Sequence, residues 1–103
     1  MANKFKDKIV LVTGASRGIG KATALEFGKE GATVIVNFRE EQHKAEEVVK
    51  QIESNGGTAI AHQADVSQED QVQKMVDFII EKFGRIDILI NNAGIVIDKP
   101  FNE

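Results

Sequence analysis

The sequence predicts an α/β fold, a doubly wound parallel sheet of four strands in the order 3-2-1-4 with three helices, and two observations lead there. Short, continuous apolar runs rich in β-branched residues alternate with longer segments whose apolar residues recur at helical spacing. Each helical segment runs into a glycine, the residue that most readily ends a helix. Parallel strands need a connection that climbs back along the sheet, and a helix makes that return compactly.

The first strand is residues 8–13, in which Ile9, Val10, Leu11 and Val12 leave no polar face. Residues 18–30 follow as a helix, with Ile19, Ala22, Ala24, Leu25 and Phe27 on a crowded apolar side, until Gly31 offers a left-handed position. Residues 33–38 form the second strand. Residues 42–54 carry Ala45, Val48, Val49 and Ile52 at spacings of three, four and seven, a one-sided helix stopped by Asn55, Gly56 and Gly57. Residues 58–62 make a brief third strand. Ser67 stands three residues before Asp70, predicting a capping-box start for a helix that holds Val72, Met75, Val76, Ile79, Ile80 and Phe83 before Gly84. The fourth strand, residues 87–91, runs through Ile88, Leu89 and Ile90.

Residues 1–103 are expected to form one domain, of a size that buries roughly two thirds of its unfolded surface. Hydrophobic residues at 42% against 28% charged, with a single proline, exclude disordered and fibrous classes. The net charge is −3 and the basic residues are scattered, so nucleic acid and anionic membranes are not expected partners. With no cysteine, no apolar run near the ~18 residues of a membrane span and a polar segment at 1–8, the expected compartment is cytoplasmic. His43 and His62 have no partners at metal-ligand spacing and read as surface or sheet-edge residues; no metal site is expected.

The chemistry sits in the turn after the first strand, Thr13-Gly14-Ala15-Ser16-Arg17-Gly18-Ile19-Gly20. A strand that turns through glycines into a helix aims that helix's unpaired N–H groups, and its positive dipole end, at the crevice beyond the sheet. A pyrophosphate suits that place. Gly14 permits the tight turn, Gly18 a close approach of backbone to ligand, Gly20 close packing of helix on strand, and the Ser16 hydroxyl can donate to a phosphate oxygen. The loop follows a predicted buried strand and opens a predicted helix, which is the context such a motif requires.

On these residues the chain resembles the short-chain dehydrogenase/reductase family over residues 8–103, and the fold it implies is a Rossmann-like one. Two further motifs carry the resemblance: Asp65-Val66 after the third strand, which in that family lies beside the adenine, and Asn91-Asn92-Ala93-Gly94 after the fourth, which supports the sheet and borders the ribose. Each also has a plain structural reading: Asp65 as a turn and helix-start residue, the asparagines as turn residues. The resemblance implies the cofactor-binding part of a nicotinamide-dependent reductase. Within the family the likeness is to the 3-oxoacyl-[acyl-carrier-protein] reductases and glucose 1-dehydrogenases.

Between the two nicotinamide cofactors, NADP(H) is favoured and NAD(H) use is the alternative. NAD sites place an Asp or Glu about 20 residues after the glycines to hold the adenosine ribose. Here the end of the second strand holds Asn37, while Arg17 and Arg39 are available to pair with a 2′-phosphate. Against this, both arginines can be solvated surface charges, and Glu40 and Glu41 weaken a positive field.

The resemblance also implies a catalytic Ser, a Tyr with a Lys four residues on, and a helical Asn. The chain contains no tyrosine, and those positions would fall beyond residue 103, so no catalytic role is assigned here, to Lys99 or any other residue. The expectation is the N-terminal part of a longer fold, inactive alone, with Ile88, Leu89 and Ile90 on an uncovered edge that favours self-association by strand pairing or by exchange of residues 95–103. Ile95, Val96 and Ile97 read equally well as a loop bordering a substrate pocket. Two other functions remain open: a stand-alone or split nucleotide-binding module without turnover, and a self-associating scaffold.

Overall fold

The computed structural model describes residues 4–93. Gly94 and residues 95–103, with the readings placed on Ile95 to Ile97 and Lys99, lie outside the described residues.

Seven elements alternate: β1 (Ile9–Thr13), α1 (Gly18–Lys29), β2 (Thr33–Phe38), α2 (Gln42–Ser54), β3 (Thr58–Gln63), α3 (Glu69–Phe83) and β4 (Ile88–Asn91). All pairings are parallel and the order is β3-β2-β1-β4, as the alternation predicts. Central β1 is registered on both sides, with Val10 beside Val34 and Ile88, and Thr13 beside Asn91.

The continuous apolar runs are needed because β1 and β2 are covered on both faces. Val10, Val12, Val34, Val36 and Phe38 point to the side of α1 and α2, where Ala24, Ala45, Val48 and Ile52 meet them. Ile9, Leu11 and Ile35 point to the opposite side, against Val72, Met75, Val76 and Ile79 of α3. Leu11 and Ile35 are completely buried, each contributing roughly 1.5–3 kcal/mol. Ile88, Leu89 and Ile90 of β4 are only half-buried, for this strand pairs with β1 alone among the described strands.

β1 starts at Ile9 and α1 ends at Lys29, each one residue inside the expected bound, and three further boundaries differ for physical reasons. β3 runs on to Gln63, because its ladder with β2 continues through His62 and Gln63 to the end of β2. β4 begins at Ile88 because Asp87 serves as a clasp: its Oδ2 accepts the Ile9 N–H at 2.8 Å and its carboxylate accepts Arg85 Nε. Arg85 Nη2 in turn donates to the Asp7 carbonyl at 2.5 Å. The capping box at Ser67 does not form. Gln68 is the N-cap, with no side-chain cap bond, and the Ser67 hydroxyl donates to Asp65 Oδ1 at 2.7 Å. A carboxylate two residues upstream outcompetes the helix's own N–H groups for that serine. No helix among the described residues is long and apolar enough to cross a membrane.

Candidate functional site

Sheet order brings the turns after β1, β2 and β4 together at the carboxyl end of the sheet, where the chain switches from one side of β1 to the other. A cleft of about 520 Å³ lies there, within the range of small-molecule sites. Gly14, Ser16, Arg17, Gly18, Ile19 and Arg39 line it, together with Phe38, Glu40, Glu41 and Asn92. A smaller hollow of about 170 Å³ adjoins it through Gly14 and Arg39, and adds Asn37, Asp65, Val66 and Ala93.

Two glycines carry the loop. Gly18 has φ +62°, and a Cβ there would meet no atom within 4 Å, so the space before it is clear for a ligand. Gly20 is the opposite case. A Cβ there would overlap the Gly14 carbonyl oxygen and lie 2.5 Å from Asn92 Nδ2. The close packing foreseen for Gly20 is thus against the turn and the β4 loop, just past the strand itself. Helix α1 opens without a side-chain cap and without an acid in its first turn, so no group of its own offsets the positive end of its dipole there.

Asn37 does more than fill the place of an acid. It is 2% exposed, and its Oδ1 accepts the Gly14 N–H at 3.2 Å. Its Nδ2 donates to the carbonyls of Ala64 at 3.2 Å and His62 at 3.3 Å, and its own carbonyl accepts the Ala15 N–H at 2.9 Å. One residue thereby fixes the first two amides of the glycine turn and ties them to the end of β3. The residue of β2 that faces the larger cleft is Phe38.

The β4 end is bound to the same turn. Asn92 Nδ2 donates to the Gly14 carbonyl at 3.0 Å. The buried Thr13 hydroxyl donates to Asn91 Oδ1 at 3.2 Å and accepts the Ala93 N–H at 3.2 Å. Asn91 thus supports the strand ends, and its neighbour Asn92 reaches the cleft. Asn92, Phe38 and Glu41 were not among the expected site residues. For Asn92 a signal existed, the second Asn of the tetrapeptide.

The charges are paired within the chain. Arg39 Nε lies 3.4 Å from Asp65 Oδ2, and Arg17 Nε 3.6 Å from Glu41 Oε1. The Ser67 hydroxyl and N–H hold the Asp65 carboxyl below the usual carboxylate range, so it stays an acceptor. Ile19, 78% exposed, sets an aliphatic wall at the lip of the cleft, a surface suited to a flat ring. Among the described residues no group of His, Asp and Glu is placed to hold a metal ion.

A parallel sheet wound on both faces, with a glycine turn and a helix start at the crossover, defines a Rossmann-like α/β domain. The chain belongs to the short chain dehydrogenase family, whose profile matches residues 8–103. It is 50% identical over 91 residues to a 3-oxoacyl-[acyl-carrier-protein] reductase of Synechocystis sp., a match spanning 88% of this chain and 37% of that protein. It is 47% identical over 97 residues to the short-chain dehydrogenase/reductase homolog YusS of Bacillus subtilis, covering 94% of this chain and 89% of the relative. A short chain dehydrogenase from Burkholderia cenocepacia, solved in complex with NADP, superposes with a TM-score of 0.84 at 45% identity, over 90% of this chain and 38% of that one. A metagenomic short-chain oxidoreductase, also in complex with NADP, gives 0.85 at 37% identity, over 89% and 41%. The chain therefore spans just over a third of the first of these curated relatives.

Proposed function

We propose that this chain is the NADP(H)-binding portion of a short-chain dehydrogenase/reductase whose reaction is carbonyl reduction or the reverse alcohol oxidation. The observation that carries the reading is the cleft itself, where the start of α1, the left-handed Gly18 and two arginines meet at the sheet crossover. The Gly18 gap, the uncapped helix start and the Ser16 hydroxyl fit a diphosphate. Asp65 and Val66 in the adjoining hollow fit an adenine, with the ionised carboxylate accepting an amino N–H. Arg17 and Arg39, beside a β2 end that offers Phe38 to the cleft and no acid, favour the 2′-phosphate of NADP(H) over NAD(H). The nicotinamide supplies hydride to the carbonyl carbon when bound. This chain's residues bind and orient the nucleotide; none of them is assigned the proton.

The substrate class proposed for the whole protein is a 3-oxoacyl thioester, supported by the 50% identity to the Synechocystis sp. reductase. A cytoplasmic setting belongs to the same proposal. The test is titration with NADPH and NADH, read by the reduced cofactor's own fluorescence, which no Trp of this chain obscures. Saturable binding with NADPH the tighter ligand is expected; no saturation with either overturns the reading.

A second reading, nucleotide binding without turnover, draws on the 89% coverage of the Bacillus subtilis homolog. NADPH oxidation with a generic 3-oxoacyl thioester separates the two only when the segment carrying the catalytic residues is supplied with the chain. Self-association through β4, whose outer edge pairs with no described strand, is also proposed. Concentration-dependent sedimentation is expected, and a monomer at every concentration overturns it.

A further inference from the structure

The two arginines of the cleft, and Lys44 beside it, are each already partnered by a carboxylate. Arg39 has Asp65 and, at 3.8 Å, Glu40; Arg17 and Lys44 share Glu41, at 3.6 Å each. Glu41 is the singular member. It directly precedes α2 yet its side chain does not cap that helix's N–H groups. Its Oε1 reaches across 25 positions of sequence to the Ser16 hydroxyl at 3.5 Å and Arg17 Nε at 3.6 Å. Those two donors stand just ahead of α1, where the first turn carries no acid of its own. A carboxylate from the residue before α2 therefore satisfies groups that an incoming anion would use.

We propose that Glu41 is a built-in competitor for the nucleotide's 2′-phosphate: its carboxylate engages Arg17, and a phosphate ester must displace it to pair with that guanidinium. The proposal rests on the dinucleotide reading above. A ligand without the 2′-phosphate leaves the Glu41–Arg17 pair in place and gains nothing from its removal. Glu41 is then a specificity-determining residue that narrows the gap between NADP(H) and NAD(H). The swing costs little in packing, since the side chain sits at the rim and its pairs are surface pairs.

The experiment compares the native chain with Glu41→Gln and Glu53→Gln, titrated with NADPH, NADH and adenosine 2′,5′-bisphosphate. Glu53 lies at the far end of α2, outside the cleft lining, and controls for net charge. Glu41→Gln keeps size and shape, and no cap is lost. Expected is a roughly two- to fivefold tightening for NADPH and the bisphosphate, the worth of one surface ion pair, with NADH unmoved and Glu53→Gln like native. Equal effects in the two variants, an equal gain for NADH, or weaker NADPH binding in Glu41→Gln overturn the proposal while leaving the dinucleotide site standing. Absence of binding by native chain and variants alike overturns both.

Discussion

The side-chain amide of Asn92 donates to the carbonyl oxygen of Gly14 at 3.0 Å, joining the loop after β4 to the turn after β1. The cleft is framed by that bond. Replacing Asn92 by Ala is expected to cost about 1 kcal/mol, the usual net worth of such a bond, seen as a lower urea midpoint at unchanged slope. Asn92→Asp sets a carboxylate oxygen against the carbonyl and should cost more.

Gly18 and Gly20 should respond in opposite ways. An alanine at Gly20 collides with the Gly14 carbonyl, backbone that cannot step aside, so roughly 1–3 kcal/mol or more of stability is lost. Gly18→Ala meets no atom but holds φ +62°, costing about 1 kcal/mol, and its methyl enters the ligand's space. Thermal melts should rank Gly20→Ala as the less stable; NADPH titration should show Gly18→Ala weakened although folded.

Asn37→Asp tests the role of the buried amide. The substitution looks like a switch toward NAD(H), but it removes the donor that serves Ala64 and His62 and turns an oxygen toward their carbonyls. The expected outcome is a loss of about 1–3 kcal/mol or more, with the ratio of NADPH to NADH affinity unmoved. Denaturation together with the two titrations checks it.

His62 gives the fold an acid-sensitive point. Its ring lies 4.8 Å from that of Phe78, its Nδ1 is buried without a partner, and burial lowers its pKa from 6.5 against a smaller opposing effect of Gln63. The unfolded chain therefore takes up this proton at higher pH than the folded one. Its contribution is complete above pH 6.5 and is lost as pH falls through 6.5 toward the depressed folded value. Denaturant midpoints measured across that interval should decline in the native chain and stay nearly level in His62→Gln.

The strands and their order are legible in the sequence because burial on both faces forces unbroken apolar runs, as in Ile9–Thr13 and Thr33–Phe38. The turn glycines are legible for a related reason: few other residues tolerate the backbone at Gly14 and Gly18. What stayed hidden depends on side chains that choose between rival partners. Ser67 prefers Asp65 to the start of α3, Asn37 turns inward to Gly14, His62 and Ala64, and Glu41 spans from the residue before α2 to the glycine turn. Spacing along the chain does not register such choices, since the competitors meet only once the sheet has formed.

Asp87 holds the amino end of β1 through the Ile9 N–H, and Asn92 holds its carboxyl end through Gly14. A one-residue slide of β4 along β1 would break both fastenings together, so this pair acts as a fixed jaw. Adjustment to ligands of different size must then come from the opposite wall, where the exposed Arg39 and Glu40 and the half-buried Glu41 stand between β2 and α2.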